Sequence, residues 1–236
     1  MNFLVDHLSD HLRELRRRLV ISFAAVVSCS GVAYIYSRPI SHFLMKPLFA
    51  AHPALAKLVY TNLTEAFVSY LKLSLLAGLI ASFPVLLYQT WMFMAPGLHP
   101  WEKKVGRNVV FWATLLFGGG VFFAYFAVMP ELLEFLMGFT RDGLEPLPRL
   151  GSYLTFVART SLAFGLAFEI PFLMVMAVRA GLVSQEYFSS QRKYFYLLIV
   201  VLAFLLAAGD PLSAVLLSFP LFCLYETGIG VIRIFS

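Results

Sequence analysis

Glu169 is a carboxylate inside an apolar stretch, Tyr153 to Val178. An ionisable group at membrane depth costs a few kcal/mol and marks a functional position by default. Pro171, two residues on, removes a backbone donor and frees the carbonyl of Ala167, which predicts a kink beside the carboxylate. Ser161, Gly165 and Glu169 recur every four residues, a small and polar stripe suited to a cavity or to a partner helix. The plainer alternative is a protonated acid hydrogen-bonded between helices for packing. Gln89, Tyr125 and Glu226 also fall inside apolar stretches, where each serves either as polar glue or as cavity lining. Glu14 and Glu102 lie outside them, among arginines and just before Lys103 and Lys104. For Glu14 the plain reading is an exposed pair with Arg17 or Arg18, worth about 0.2 to 0.5 kcal/mol.

Catalysis finds little support in these residues. The chain contains no HExxH, no GxSxG and no Gly-Lys-Ser/Thr phosphate loop, so no metal site, acyl-transfer nucleophile or direct use of ATP is indicated. Asp210 has no second aspartate within any apolar stretch, as an intramembrane aspartyl protease requires. Cys29 and Cys223 both sit in apolar stretches and behave as small hydrophobes. The expectation is a protein without enzymatic activity, cofactor or metal.

The elements that hold these residues are membrane helices. Of 236 residues, 60% are hydrophobic and 13% charged, against about half and about a quarter in soluble domains. A bilayer core of about 30 Å needs about 20 apolar residues per helix. The apolar stretches predict an all-α membrane protein with six spans at about 19–36, 66–95, 109–129, 153–178, 194–208 and 212–228, treated as one domain over 1–236. The last two are short: the segment Tyr194 to Ala208 extends only about 22 Å as a helix. Either the bilayer thins there or the hairpin is buried in protein. Before the first span, Leu4, Leu8, Leu12, Leu15 and Leu19 share one helical face, which predicts an amphipathic helix on the inner membrane surface. Between the first two spans Pro39, Pro47 and Pro53 predict a structured cap of short pieces rather than one helix.

An even number of spans puts both termini on one side. Arg13, Arg16, Arg17, Arg18, Lys103, Lys104 and Arg107 crowd one set of helix ends, whereas Glu131, Glu134, Asp142 and Glu145 dilute the basic residues of the other. The positive-inside rule then places both termini in the cytoplasm. The net charge of +5 reads as topology and contact with anionic lipid, not as nucleic-acid binding.

Six ordered motifs, one or more in nearly every part of the chain, resemble the TatC family, the multi-span core of the twin-arginine protein translocase. They are His11-Leu12-Arg13-Glu14-Leu15-Arg16-Arg17-Arg18, Ala81-Ser82-Phe83-Pro84 through Gln89, and Phe93-Met94-Ala95-Pro96-Gly97-Leu98 followed by Glu102. Phe123-Ala124-Tyr125-Phe126, Ala163-Phe164-Gly165 through Pro171, and Pro220 through Glu226 complete the set. The resemblance implies that Glu14 and Glu102, with Arg16 and Phe93 beside them, receive the paired arginines of a signal peptide on the cytoplasmic side. It implies that Glu169, with Gln89 and Tyr125, lines an intramembrane polar groove, and that Pro47, Asp210 and Glu226 serve periplasmic or partner contacts. Two departures stand out: Gly209 precedes Asp210 where the family commonly has proline, and Ala214 replaces a glutamine.

What the resemblance implies for function is a receptor and scaffold in the inner membrane that exports folded proteins on the proton-motive force, with TatA- and TatB-type single-span subunits and self-association in a larger complex. The rival is a proton-coupled small-solute transporter using Glu169. Such folds carry internal repeats and matched broken helices, and the sequence displays neither.

Overall fold

The computed structural model describes residues 2–52, 58–60, 62, 64–94, 100–138, 147–179, 181–207 and 210–235, without the side chains of 2–11, 94, 100–107 and 235. The helices in order are α1 (Asn2–Ile35), α2 (Ser37–Ala51), α3 (Glu65–Met94), α4 (Pro100–Phe123), α5 (Met129–Met137), α6 (Leu150–Arg179), α7 (Gln185–Ser190), α8 (Arg192–Leu206) and α9 (Pro211–Phe235). A π-helical turn, Ala124–Val128, joins α4 to α5.

Among the described residues, five segments are long and apolar enough to cross a bilayer: Leu12–Ile35, Glu65–Phe93, Asn108–Met137, Leu150–Arg179 and Pro211–Ile234. This is a multi-pass membrane protein. Large apolar side chains point outward along them, with Phe23 at 70% and Phe219 at 71% exposure, as expected where lipid replaces water around the helices.

Several boundaries depart from the sequence expectation. The N-terminal amphipathic stretch is not a separate surface helix but the start of the 34-residue α1, because neither glycine nor proline interrupts the sequence before Gly31. The third span runs past Pro130 to Met137: proline at the first turn of α5 needs no amide partner, and the π turn absorbs the change of register. The final span is not short. α9 has 25 residues and continues through Gly228, where a Cβ would meet Met174 Sδ at 2.8 Å and Pro171 Cα at 3.1 Å, so the glycine serves close packing on α6 rather than a helix stop. Of the two segments expected to be short, α8 alone is, at 15 residues.

The segment after α1 also differs from the expected broken pieces, since α2 is one helix that contains Pro47. Proline at this position removes the amide that would bond the carbonyl of Phe43, four residues back. The Tyr125 hydroxyl donates to that carbonyl at 2.5 Å, and the Tyr153 hydroxyl donates to Leu44 O at 2.7 Å. A side chain from elsewhere in the fold, that of Tyr125, thus satisfies the carbonyl that the proline leaves open. Pro53 lies outside the described residues. Val59 N–H donates to Pro148 O at 3.2 Å and Leu150 N–H to Val59 O at 2.9 Å, so the two inter-span segments meet in an isolated parallel bridge, Val59 with Arg149.

The residues group into two compact units, Met1–Ile40 with Tyr70–Leu115, and Ser41–Ser69 with Leu116–Ser236. In the first unit α1 and α3 run antiparallel. A Cβ on Gly78 would overlap the backbone of Ser30, at 2.5 Å from its Cα, so glycine lets the two backbones approach. In the second, α6 packs on α9, α8 packs on α9, and the end of α4 meets α6. A Cβ on Gly120 would stand 2.8 Å from Gly165 Cα, and one on Gly165 would stand 2.6 Å from the Phe117 ring. α6 ends in a Schellman turn: Gly181, at φ 69°, donates to Val178 O and Leu182 to Ala177 O.

Candidate functional site: a carboxylate and arginine junction on α1 and α3

Glu14 lies on α1 one helical turn before Arg18. The Arg18 Nε and Nη2 groups both donate to Glu14 Oε1, the former at 3.1 Å, while Nη1 donates to Gln89 Oε1 on α3 at 3.3 Å. The Arg18 side chain is 18% exposed and that of Glu14 30%. One guanidinium therefore ties the carboxylate of α1 to α3. The plain reading of Glu14 as an i to i+4 partner of Arg18 is correct as far as it goes, but spacing gave no sign of the third member, Gln89. Both arginine bonds converge on Oε1, and Oε2 accepts no hydrogen bond among the described residues.

The antiparallel register of α1 and α3 follows from two crossings, Ser30 beside Gly78 and Arg18 beside Gln89. One further turn, about 6 Å along each axis, brings Glu14 on α1 and Phe93 on α3 to a common level. Phe93 is half-buried there. Arg16 is exposed on α1 and lines a shallow apolar hollow of 410 Å³ with Leu12, Leu15 and Phe23. Glu102 belongs to the first two turns of α4, in the same compact unit as Glu14 and Phe93; its side chain lies outside the described residues.

The residues expected to form an intramembrane polar groove make separate engagements. Gln89 holds Arg18, and Tyr125, 7% exposed, is consumed in the bond to Phe43 and stacks on the Phe43 ring at 4.5 Å. Glu169 is 5% exposed, and its Oε1 has no hydrogen-bond partner among the described residues. The stripe Ser161, Gly165, Glu169 is buried, with Gly165 against Phe117 of α4, so of the two uses the spacing allowed it serves a partner helix within the chain. Nearby, Phe123, Phe168, Leu217, Pro220 and Thr227 line an apolar cavity of 580 Å³ that Glu169 does not line.

The remaining site residues lie on or beside α2 and α9. Pro47 is buried within α2. Asp210 precedes α9, and its Oδ2 accepts the Ser213 amide at 2.9 Å and the Ser213 hydroxyl. These bonds to the charged form hold its carboxyl below the ordinary carboxylate value. Glu226 on α9 joins α8 through Arg192 Nη2 at 2.9 Å and the Tyr196 hydroxyl at 2.5 Å. Arg192, Tyr196 and Ser213 were not singled out from sequence. Partners 34 and 30 residues apart carry no periodic signal, whereas Asp-x-x-Ser at a helix start is a capping pattern that was there to be read.

Comparison with known proteins identifies the family. The family model described as Sec-independent protein translocase protein (TatC) matches residues 10–220. A relative of that name from Desulforapulum autotrophicum is 40% identical, covering 97% of this chain and 84% of its own. The one from Escherichia coli is 33% identical over 97% of this chain and 88% of its own. The crystal structure titled twin arginine translocase receptor TatC superposes with a TM-score of 0.87 at 36% identity, covering 95% of this chain and 98% of the other. The comparisons give no support to a small-solute transporter. From the helix order and these matches along almost its full length, the chain belongs to the TatC family of Sec-independent protein translocase components.

Proposed function

We propose that this protein is the receptor and scaffold of a twin-arginine translocase, binding the paired arginines of a signal peptide on the cytoplasmic side through Glu14 and Glu102, with Arg16 and Phe93 beside them. The observation that carries the reading is the junction itself. Glu14 already accepts a guanidinium from Arg18, and its Oε2 remains for a second one. A planar guanidinium and a carboxylate pair through charge-assisted bonds of about 1.5 to 3 kcal/mol each, a fork that lysine does not reproduce. Glu14, Phe93 and Glu102 belong to one compact unit, which supports their acting on one ligand.

In this reading both termini face the cytoplasm, α8 is a sixth, short crossing of the inner membrane, and Asp210 and Pro47 lie on the outer side. TatA- and TatB-type single-span subunits and further copies of the chain complete the complex. The proton-motive force supplies the energy, and the chain itself performs no chemical reaction. Glu169, buried with an unpartnered oxygen, supports a role for an intramembrane acid in coupling substrate entry to protonation.

The test is binding of a twin-arginine signal peptide to the full chain in nanodiscs, against a twin-lysine control. Arginine-selective binding that falls at least tenfold in Glu14→Ala and in Glu102→Ala is the expected result. Selective binding insensitive to both substitutions removes these glutamates from the recognition site, and binding without selectivity overturns the receptor reading.

A further inference from the structure

A groove of 430 Å³ opens between α2 and the π turn with α5, within the size range of small-ligand sites. Phe43, Lys46 and Ala50 follow one another at helical spacing along the α2 wall, and Phe126, Pro130 and Glu134 do so along the other. The groove thus carries a cation on one wall and an anion on the other. Lys46 and Glu134 make no ion pair among the described residues, with each other or with any third group. The Lys46 ammonium instead stands 5.6 Å from the Phe43 ring centroid. The walls are held by the bond from Tyr125 to Phe43 O and the stacking of their rings.

The depth of the groove indicates what fills it. Glu134 is three residues from the end of the span Asn108–Met137, about 5 Å along the axis, which is the level of lipid headgroups. Toward the middle of that span, Phe122 and Phe126 stack at 5.9 Å and are 64% and 60% exposed, an apolar ridge leading from the groove into the hydrocarbon.

From these features we infer that the groove between α2 and α5 is a binding site for one phospholipid with a zwitterionic, primary-amine headgroup, its phosphate on Lys46, its ammonium on Glu134 and its acyl chains along Phe122 and Phe126. An anionic headgroup without an amine would satisfy Lys46 and leave Glu134 facing a like charge. A quaternary ammonium has no proton to donate to Glu134 and calls for an aromatic cage, whereas the Phe43 ring is already engaged by Tyr125 and Lys46. This site is independent of signal-peptide recognition.

Native mass spectrometry of the full chain in detergent tests the assignment, with phosphatidylethanolamine, phosphatidylglycerol and phosphatidylcholine of identical acyl chains titrated in turn. One phosphatidylethanolamine is expected to be retained in preference to the other two. Lys46→Gln and Glu134→Gln should each lower that retention about tenfold, as the loss of one charge-assisted contact requires, while Arg233→Gln on α9 leaves it unchanged. Both groove residues are exposed, so the variants are expected to elute and unfold as the parent does, and a variant that does not is replaced by Lys46→Met or Glu134→Met. Equal retention of phosphatidylglycerol, or loss in the Lys46 variant alone, would reduce the groove to a phosphate contact and overturn the zwitterionic assignment. Retention unaltered in both variants, or no lipid retained, overturns the site altogether.

Discussion

Asp210 shows how one side chain sets a helix end. Its carboxylate accepts two bonds from Ser213 at the start of α9, where unpaired amides and the helix dipole favour negative charge. Its folded-state pKa is depressed, so its contribution is fully present above the unfolded value of about 3.9 and is lost as pH falls through the folded value. Asp210→Ala is expected to destabilise the detergent-solubilised protein by about 1 kcal/mol at neutral pH. Thermal unfolding at pH 6 and pH 3 checks this: the difference between Asp210→Ala and the parent should shrink at the lower pH. Asp210 was legible in sequence as a residue of the hairpin turn, and so was Glu14 as a partner of Arg18. The reach of Arg18 to Gln89, 71 residues away, was not, because no local pattern encodes a contact between helices.

Among the elements, α2 is the one whose form depends most on residues outside it. Proline within a helix removes an interior bond and costs about 3 kcal/mol or more when nothing compensates. Here the Tyr125 hydroxyl takes the place of the missing amide at Phe43 O. Tyr125→Phe should therefore cost about 1 kcal/mol in the parent chain. It should cost much less in a Pro47→Ala background, where the restored amide satisfies the same carbonyl. A double-mutant cycle read by thermal unfolding measures this coupling, and additive losses would show that the two residues do not share that carbonyl. Sequence reasoning broke α2 at its prolines because the compensating hydroxyl comes from the π turn after α4. The same limit explains α9: Gly228 reads as a helix end until Met174 and Pro171 of α6 are found against it.

Across the molecule, five segments among the described residues have the length of a membrane crossing and α8, with 15 residues, does not. If α8 crosses as well, parity returns the C-terminus to the side of the N-terminus. Single cysteines at His52 and Ser236, in a chain with Cys29 and Cys223 changed to alanine, distinguish the two topologies. An impermeant maleimide added to intact cells is expected to label position 52 and to spare position 236 until the membrane is broken. Labelling of both without disruption would leave α8 within one leaflet.

Amino-acid sequence alone determined that the chain is helical and membrane-embedded, close bounds for the helices α3 and α6, and the motifs that resemble its family. These follow from apolar run length and residue order, which are local quantities fixed by the thickness of the bilayer and the rise of a helix. Tertiary structure decided which polar groups satisfy one another: Arg18 with Gln89, Tyr125 with the carbonyl above Pro47, and Glu226 with Arg192 and Tyr196. It also decided which glycines are close approaches rather than breaks. In hydrocarbon an unpaired polar group has no water to turn to. The groups paired here take their partners where the packing of helices delivers one, at a separation in sequence that no periodicity records.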